Sequence, residues 1–74
     1  MNLQEWVSEK EGRRGELAEV LGRTKQTVWN IEKGKYKPTN QMVIKIHKHT
    51  GLKAKQINQE VAAELKELFK LDLF

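Results

Sequence analysis

Two amide side chains, Gln26 and Asn30, lie four residues apart in a segment whose apolar residues recur at helical spacing. On a helix this spacing puts both on one face, because residues four apart are neighbours. An amide presents a hydrogen-bond donor and an acceptor together, which suits atoms N6 and N7 of adenine. Lys25, beside Gln26, suits the O6 and N7 acceptors of guanine. Side chains of these types at this spacing have the hydrogen-bonding chemistry to contact the edges of bases.

Two short amphipathic helices separated by a tight turn are expected to position these side chains. Gly22 follows the first helix, where a left-handed backbone is usually needed. Thr24 can cap the second helix, because its hydroxyl can accept a bond from a free backbone N–H. Apolar residues at helical spacing mark the inner faces of both helices: Leu17, Val20, Leu21, Val28 and Ile31. We therefore interpret residues 14–34 as a helix-turn-helix motif.

This stretch resembles the Cro and repressor family of helix-turn-helix proteins, the DNA-binding regulators of lambdoid phages and their bacterial relatives. The resemblance rests on Leu17-Ala18, Leu21-Gly22, the polar run of residues 24–27, Val28, Ile31, Glu32-Lys33-Gly34, Lys35 and Pro38. It extends more weakly from about Leu3 to Ile57. The family usually has glutamine at the start of both helices, where this chain has Arg14 and Lys25, so a family operator sequence cannot be carried over.

The resemblance implies that the helix from Lys25 to Lys33 lies in the major groove of DNA. The residues expected to contact bases are Lys25, Gln26, Trp29 and Asn30. Those expected to contact the DNA backbone are Arg14, Arg23, Thr24, Thr27, Lys33, Lys35, Tyr36 and Lys37. For Trp29 the alternative is that the ring folds back onto the loop at Tyr36 or onto the next helix. We favour the DNA contact, because this position commonly faces DNA in the family.

The rest of the chain predicts a compact all-α fold with five helices. A first helix runs from Leu3 to about Lys10, with Asn2 and Glu5 placed for a capping box. A fourth runs from Asn40 to about Thr50, and Leu52 to Ile57 form a fifth helical piece. Residues 1–58 are then the DNA-binding domain, and the last helix extends into an amphipathic segment at 59–74.

The amphipathic segment carries an apolar stripe that is expected to form a dimer interface. The interface residues we predict are Ile57, Val61, Leu65, Leu68, Phe69, Leu71 and Phe74. Part of this stripe can instead pack on the chain's own core, and another protein is a third possible partner. A dimer is expected because one recognition helix contacts only about four or five base pairs, too few for useful selectivity.

The composition narrows the class of protein. The formal charge is +4, and no acidic residue occurs from Lys33 to Gln59 although seven lysines do. Such a separation suits a polyanion, although scattered surface lysines are the alternative. There is no cysteine, no apolar run near the roughly 20 residues of a membrane span and no signal peptide. We therefore expect a soluble cytoplasmic protein of a prokaryotic or phage-infected cell, with no membrane partner.

No arrangement of residues predicts catalysis. The sequence has no metal cluster, no phosphate-cradling glycine loop and no acid/base pair, and Ser8 is its only serine. His47 and His49, two residues apart on a helix, point in different directions, so a metal site is not expected. We expect no enzyme activity, no cofactor and no small-molecule substrate.

The expected function is that of a sequence-specific regulator of transcription that binds double-stranded DNA. The most specific form of this hypothesis is a Cro-like or phage-type repressor that binds a palindromic operator as a homodimer. The alternative is an antitoxin or adaptor whose C-terminal helix binds another protein.

Overall fold

The structure is a computed structural model that describes residues 1–69, with side chains described for residues 1–67. This part of the chain is helical without strands, as expected. Its helices are α1 (Leu3–Ser8), α2 (Arg13–Leu21), α3 (Lys25–Glu32), α4 (Asn40–Thr50), α5 (Ala54–Ile57) and α6 (Gln59–Phe69). None of these helices is long and apolar enough to cross a membrane.

Helix α1 begins at the predicted capping box. The Asn2 side chain accepts a hydrogen bond from the Glu5 N–H at 2.9 Å, and the Glu5 carboxylate accepts one from the Asn2 N–H at 2.9 Å. The helix ends at Ser8 instead of near Lys10. Its last turn tightens, because the Glu9 N–H bonds to the carbonyl of Trp6, three residues earlier, at 3.4 Å.

The turn between α2 and α3 has the geometry that the sequence predicts. Gly22 is left-handed, with φ 66°, and its N–H bonds to the Glu19 carbonyl at 3.1 Å. The Arg23 N–H bonds to the Ala18 carbonyl at 2.9 Å, so the end of α2 is satisfied by the turn itself. The Thr24 hydroxyl accepts a hydrogen bond from the Thr27 N–H at 3.3 Å and caps α3.

All six described helices contribute buried side chains to one core, in which α2 packs against both α3 and α4. The side chains of Leu17, Val28, Val43 and Ile46 are fully buried there. Trp6 packs against this core as a half-buried side chain. The core therefore contacts one face of α3 and leaves the opposite face on the surface.

Helix α6 is separated from α5 by Asn58 and is not an extension of it. Asn58 has an extended backbone, with φ −158° and ψ 114°. Its N–H bonds to the Ala54 carbonyl at 2.9 Å, which ends α5, and its side-chain oxygen accepts from the Val61 N–H at 3.0 Å, which starts α6. The expected five helices with an extended tail are therefore six helices within residues 1–69.

The apolar stripe of α6 lies in the core of the single chain. Val61 and Leu65 have 0% exposed surface, and Ile57 has 9%. The predicted contact of these side chains with a second copy would require α6 to leave its own core. The other predicted interface residues, Leu68, Phe69, Leu71 and Phe74, lie beyond the part of the chain whose side chains the structure describes.

Candidate nucleic-acid interface

Helix α3 has one buried face and one polar face. Val28 and Ile31 point into the core, with 0% and 4% exposed surface. On the opposite side of the helix, Lys25 and Gln26 are exposed, whereas Trp29 and Asn30 are half-buried. The structure therefore brings the four residues predicted to contact bases together on the outer side of one helix.

Gln26 and Asn30 are joined by a hydrogen bond in which the Gln26 amide nitrogen donates to the Asn30 side-chain oxygen at 3.2 Å. The side-chain oxygen of Gln26 and the side-chain nitrogen of Asn30 take no part in this bond. The backbone carbonyl of Asn30 also accepts hydrogen bonds from the N–H groups of Lys35 and Tyr36, at 2.8 and 3.2 Å. Asn30 thus fixes the loop after α3 against the end of the helix.

Trp29 is covered by two lysine ammonium groups. The Nζ atom of Lys35 lies 4.8 Å from the ring centroid, and that of Lys33 lies 5.7 Å away. Both distances allow cation–π attraction. The ring therefore anchors two positive charges beside the polar face of α3. Its contact with a base or a sugar stays a prediction.

The side chain of Lys25 lies against α2 at Gly15, which has no side chain. A Cβ atom built on Gly15 would come within 3.0 Å of Lys25 Cε and 3.7 Å of its Nζ. The glycine therefore leaves room for the lysine stem. Sequence analysis missed this role, because Gly15 fits neither a turn nor a helix end.

Arg14 makes a bidentate ion pair across the motif. Its Nε and Nη2 atoms donate to the two carboxylate oxygens of Glu32 at 2.7 and 2.9 Å. The Glu32 side chain has no exposed surface, whereas 38% of the Arg14 side chain is exposed. The hydrogen bond to Glu32 raises the pKa of Arg14 above its ordinary value. Sequence analysis assigned Arg14 to phosphate alone and missed this link between α2 and α3.

The remaining residues predicted to contact the DNA backbone surround this face. Thr24 and Thr27 lie at the first turn of α3, where their hydroxyl oxygens are 3.2 Å apart. The others are exposed in the turn and in the loop: Arg23, Lys33, Lys35, Tyr36 and Lys37. Their position fits backbone contacts, which stay predictions.

Lys37 differs from the other loop lysines, because its ammonium group has protein partners. It donates to the Glu64 carboxylate at 2.6 Å and lies 3.5 Å from that of Glu60. The hydrogen bond to Glu64 is the main reason why the pKa of Lys37 is raised above 10.5. A phosphate contact by Lys37 would require it to change partners.

The two histidines have separate partners. His47 Nδ1 lies 2.6 Å from the carbonyl oxygen of Leu52, and His49 Nε2 lies 2.9 Å from a carboxylate oxygen of Glu16. Within residues 1–69, no three or more His, Asp or Glu side chains are grouped so that they could hold a metal ion.

Comparisons with known proteins agree with this geometry. A family model described as helix-turn-helix matches residues 9–57. Over 42 residues the chain is 45% identical to an uncharacterized HTH-type transcriptional regulator of Methanocaldococcus jannaschii. The aligned region covers 57% of this chain and 64% of that relative, somewhat less than two thirds of its length. No solved structure gives a significant match.

Proposed function

The chain belongs to the helix-turn-helix family of Cro and repressor type, and from this premise we propose that it regulates transcription by binding double-stranded DNA in a sequence-dependent way. The observation that carries the proposal is the polar outer face of α3. It combines paired amides, a lysine and a lysine-covered tryptophan, while the opposite face of the helix is fixed in the core. The name of the archaeal relative supports the same class of function.

In the proposed complex, α3 lies in the major groove and the loop after it lies along the phosphates. Because the Gln26 nitrogen is bonded to Asn30, the pair offers base edges the oxygen of Gln26 and the nitrogen of Asn30. Amide groups of this kind discriminate between bases by about 1–3 kcal/mol per well-formed bidentate contact. The lysines around Trp29 contribute affinity that is independent of sequence.

Selection of bound sites from a random duplex pool tests this proposal and gives the site sequence. Gln26→Ala and Asn30→Ala should each relax the base preference at one position of the selected site. Lys35→Ala should weaken binding to all sequences and reduce the magnitude of the salt slope by about 0.9. Lys48→Ala, which removes a lysine of α4 outside this face, serves as the control. Equal, sequence-independent losses for all three α3 and loop variants would contradict the assigned roles.

The more specific proposal is a Cro-like or phage-type repressor that binds a palindromic operator as a homodimer in the cytoplasm of its cell. Two copies would double the number of base pairs read and match two half-sites about one DNA turn apart. With Val61 and Leu65 buried in the core, the second copy would have to be held by other residues. Five apolar residues follow the last described side chain: Leu68, Phe69, Leu71, Leu73 and Phe74.

The same five apolar residues also support the second candidate function, an antitoxin or adaptor that binds another protein. The two candidates differ in the mass of the DNA complex. A homodimeric repressor places two chains on each selected site, whereas an adaptor without its partner places one chain on a single half-site. Sedimentation of the purified chain with the selected duplex distinguishes them.

A further inference from the structure

One ion-pair cluster connects the candidate DNA-contacting loop to a helix outside the matched family region. The family model ends at residue 57, and α6 begins at Gln59. From this helix, Glu64 and Glu60 reach Lys37 at 2.6 and 3.5 Å. The cluster therefore joins a part of the chain that the family shares to a part that its model does not include.

The loop is held in place on both sides of Lys37. On one side, the N–H groups of Lys35 and Tyr36 bond to the Asn30 carbonyl at the end of α3. On the other, Pro38 is fully buried. The ammonium group of Lys37 is consequently kept near α3 and near the carboxylates of α6 at the same time.

We propose that α6 restrains DNA binding, because Glu60 and Glu64 compete with DNA phosphate for Lys37. The proposal rests on the proposed DNA-binding function. A phosphate that bonds to Lys37 must displace Glu64 or lie beside two carboxylates, and like charges at such distances repel. The exchange is physically accessible, because 46% of the Lys37 side chain and 40% of the Glu64 side chain are exposed.

The restraint acts at short range. At about 0.1 M salt the screening length is about 10 Å, so a carboxylate acts chiefly on its immediate neighbours. Glu67 is an exposed carboxylate of the same helix without a described contact to Lys37. Substitution of Glu64 or Glu67 by glutamine removes the same charge from α6, and only the first substitution removes a partner of Lys37.

The test measures binding of the full chain to a labelled duplex of random sequence by fluorescence anisotropy, over a range of salt concentrations. Glu64→Gln should tighten binding about two- to fivefold relative to the wild type at about 0.1 M salt, the range expected for one exposed ion pair. Glu60→Gln combined with Glu64→Gln should tighten it further. Glu67→Gln should change it much less. Circular dichroism of each variant checks that its helices are retained, so that a gain in affinity reports the removal of charge.

A double-mutant cycle with Lys37→Met identifies the residue through which α6 acts. In the Lys37→Met background, Glu64→Gln should have no more effect than Glu67→Gln. In the Glu60→Gln, Glu64→Gln background, Lys37→Met should reduce the magnitude of the salt slope by about 0.9, the value for one lost phosphate contact. Additive effects, or equal gains for Glu64→Gln and Glu67→Gln, would overturn the proposal and leave DNA binding intact. A wild-type chain that does not bind the duplex even at low salt would overturn both proposals.

Discussion

Arg14 and Glu32 join the two helices of the motif through one bidentate contact, and the buried partner is the acidic one. The Glu32 side chain has 0% exposed surface, so its carboxylate depends on Arg14 for the hydrogen bonds that water would otherwise supply. Arg14 keeps 38% of its side chain exposed at the start of α2. Arg14 therefore links the two helices, and its contact with a phosphate stays a prediction.

Removing the arginine should destabilise the fold even without DNA. We expect Arg14→Ala to lower the free energy of unfolding by about 1–3 kcal/mol, because it leaves the buried carboxylate of Glu32 without a donor. The stability of Arg14→Lys should fall between those of the wild type and Arg14→Ala, since an ammonium group cannot make the parallel pair of bonds that a guanidinium makes. Urea unfolding followed by circular dichroism measures the change.

The matched control for this substitution is Arg23→Ala, in the exposed turn between α2 and α3. A surface change of this kind should stay within about 0.5 kcal/mol of the wild type. If Arg14→Ala and Arg23→Ala have the same effect, the ion pair with Glu32 does not stabilise the motif.

At the scale of the helices, the sequence predicts elements whose ends are determined by nearby residues. Asn2 and Thr24 cap the helices that were assigned to them, because a cap bonds to an N–H only three residues away. Thr39 caps α4 in the same way. Asn58 likewise caps α6. The sequence did not indicate this helix start, because the apolar stripe from Ile57 onward continues through it. Periodicity shows that a face is apolar, and it does not show whether a core or a second chain covers that face.

At the candidate interface, too, features that depend on residues close in sequence could be predicted, and contacts between distant residues could not. The polar face of α3 could be predicted, since it depends on the periodicity of one helix. The contacts of Arg14 with Glu32 and of Lys37 with Glu64 join residues 18 and 27 positions apart. Such pairs depend on how the helices pack together, so a single sequence leaves them undetermined.

Helix α6 should behave as a structural part of the domain. Leu65→Ala removes buried methyl groups from a side chain with 0% exposed surface and should lower the free energy of unfolding by about 2–5 kcal/mol. Glu67→Ala, an exposed position two residues further along the same helix, is the control and should have little effect. Thermal unfolding of both variants measures the difference. Equal melting temperatures would show that α6 does not contribute to the core.

Across the whole molecule, the basic and acidic surfaces lie close together. The lysines around Trp29 and in the loop face outward near α3, while Glu60 and Glu64 place negative charge beside Lys37. Affinity for a polyanion therefore depends on where the charges lie more than on the net charge of +4. A change that moves α6 would alter the electrostatic surface of the loop without altering α3.

The burial of the α6 stripe determines how dimer formation must be tested. A chain that ends at Asn58 would lose Val61 and Leu65 from the core, so its failure to dimerise could simply reflect unfolding. The informative variant is the full chain with Leu71→Ser and Phe74→Ser, which leaves every described core residue in place. Asp72→Asn, in the same segment, is the control for a change that preserves the apolar residues.

If these residues hold two copies together, the wild type and Asp72→Asn should sediment as dimers and place two chains on each selected DNA site. Leu71→Ser with Phe74→Ser should sediment as a monomer with an unchanged helical spectrum. Its affinity for the full site should fall about a hundredfold or more, because linked binding of two half-sites contributes an effective-concentration gain of at least that order. Its binding to a half-site should be unchanged, since α3 and the loop remain intact. A wild-type chain that is monomeric both free and on DNA would show that one recognition helix acts alone, and the adaptor function would then be the better proposal.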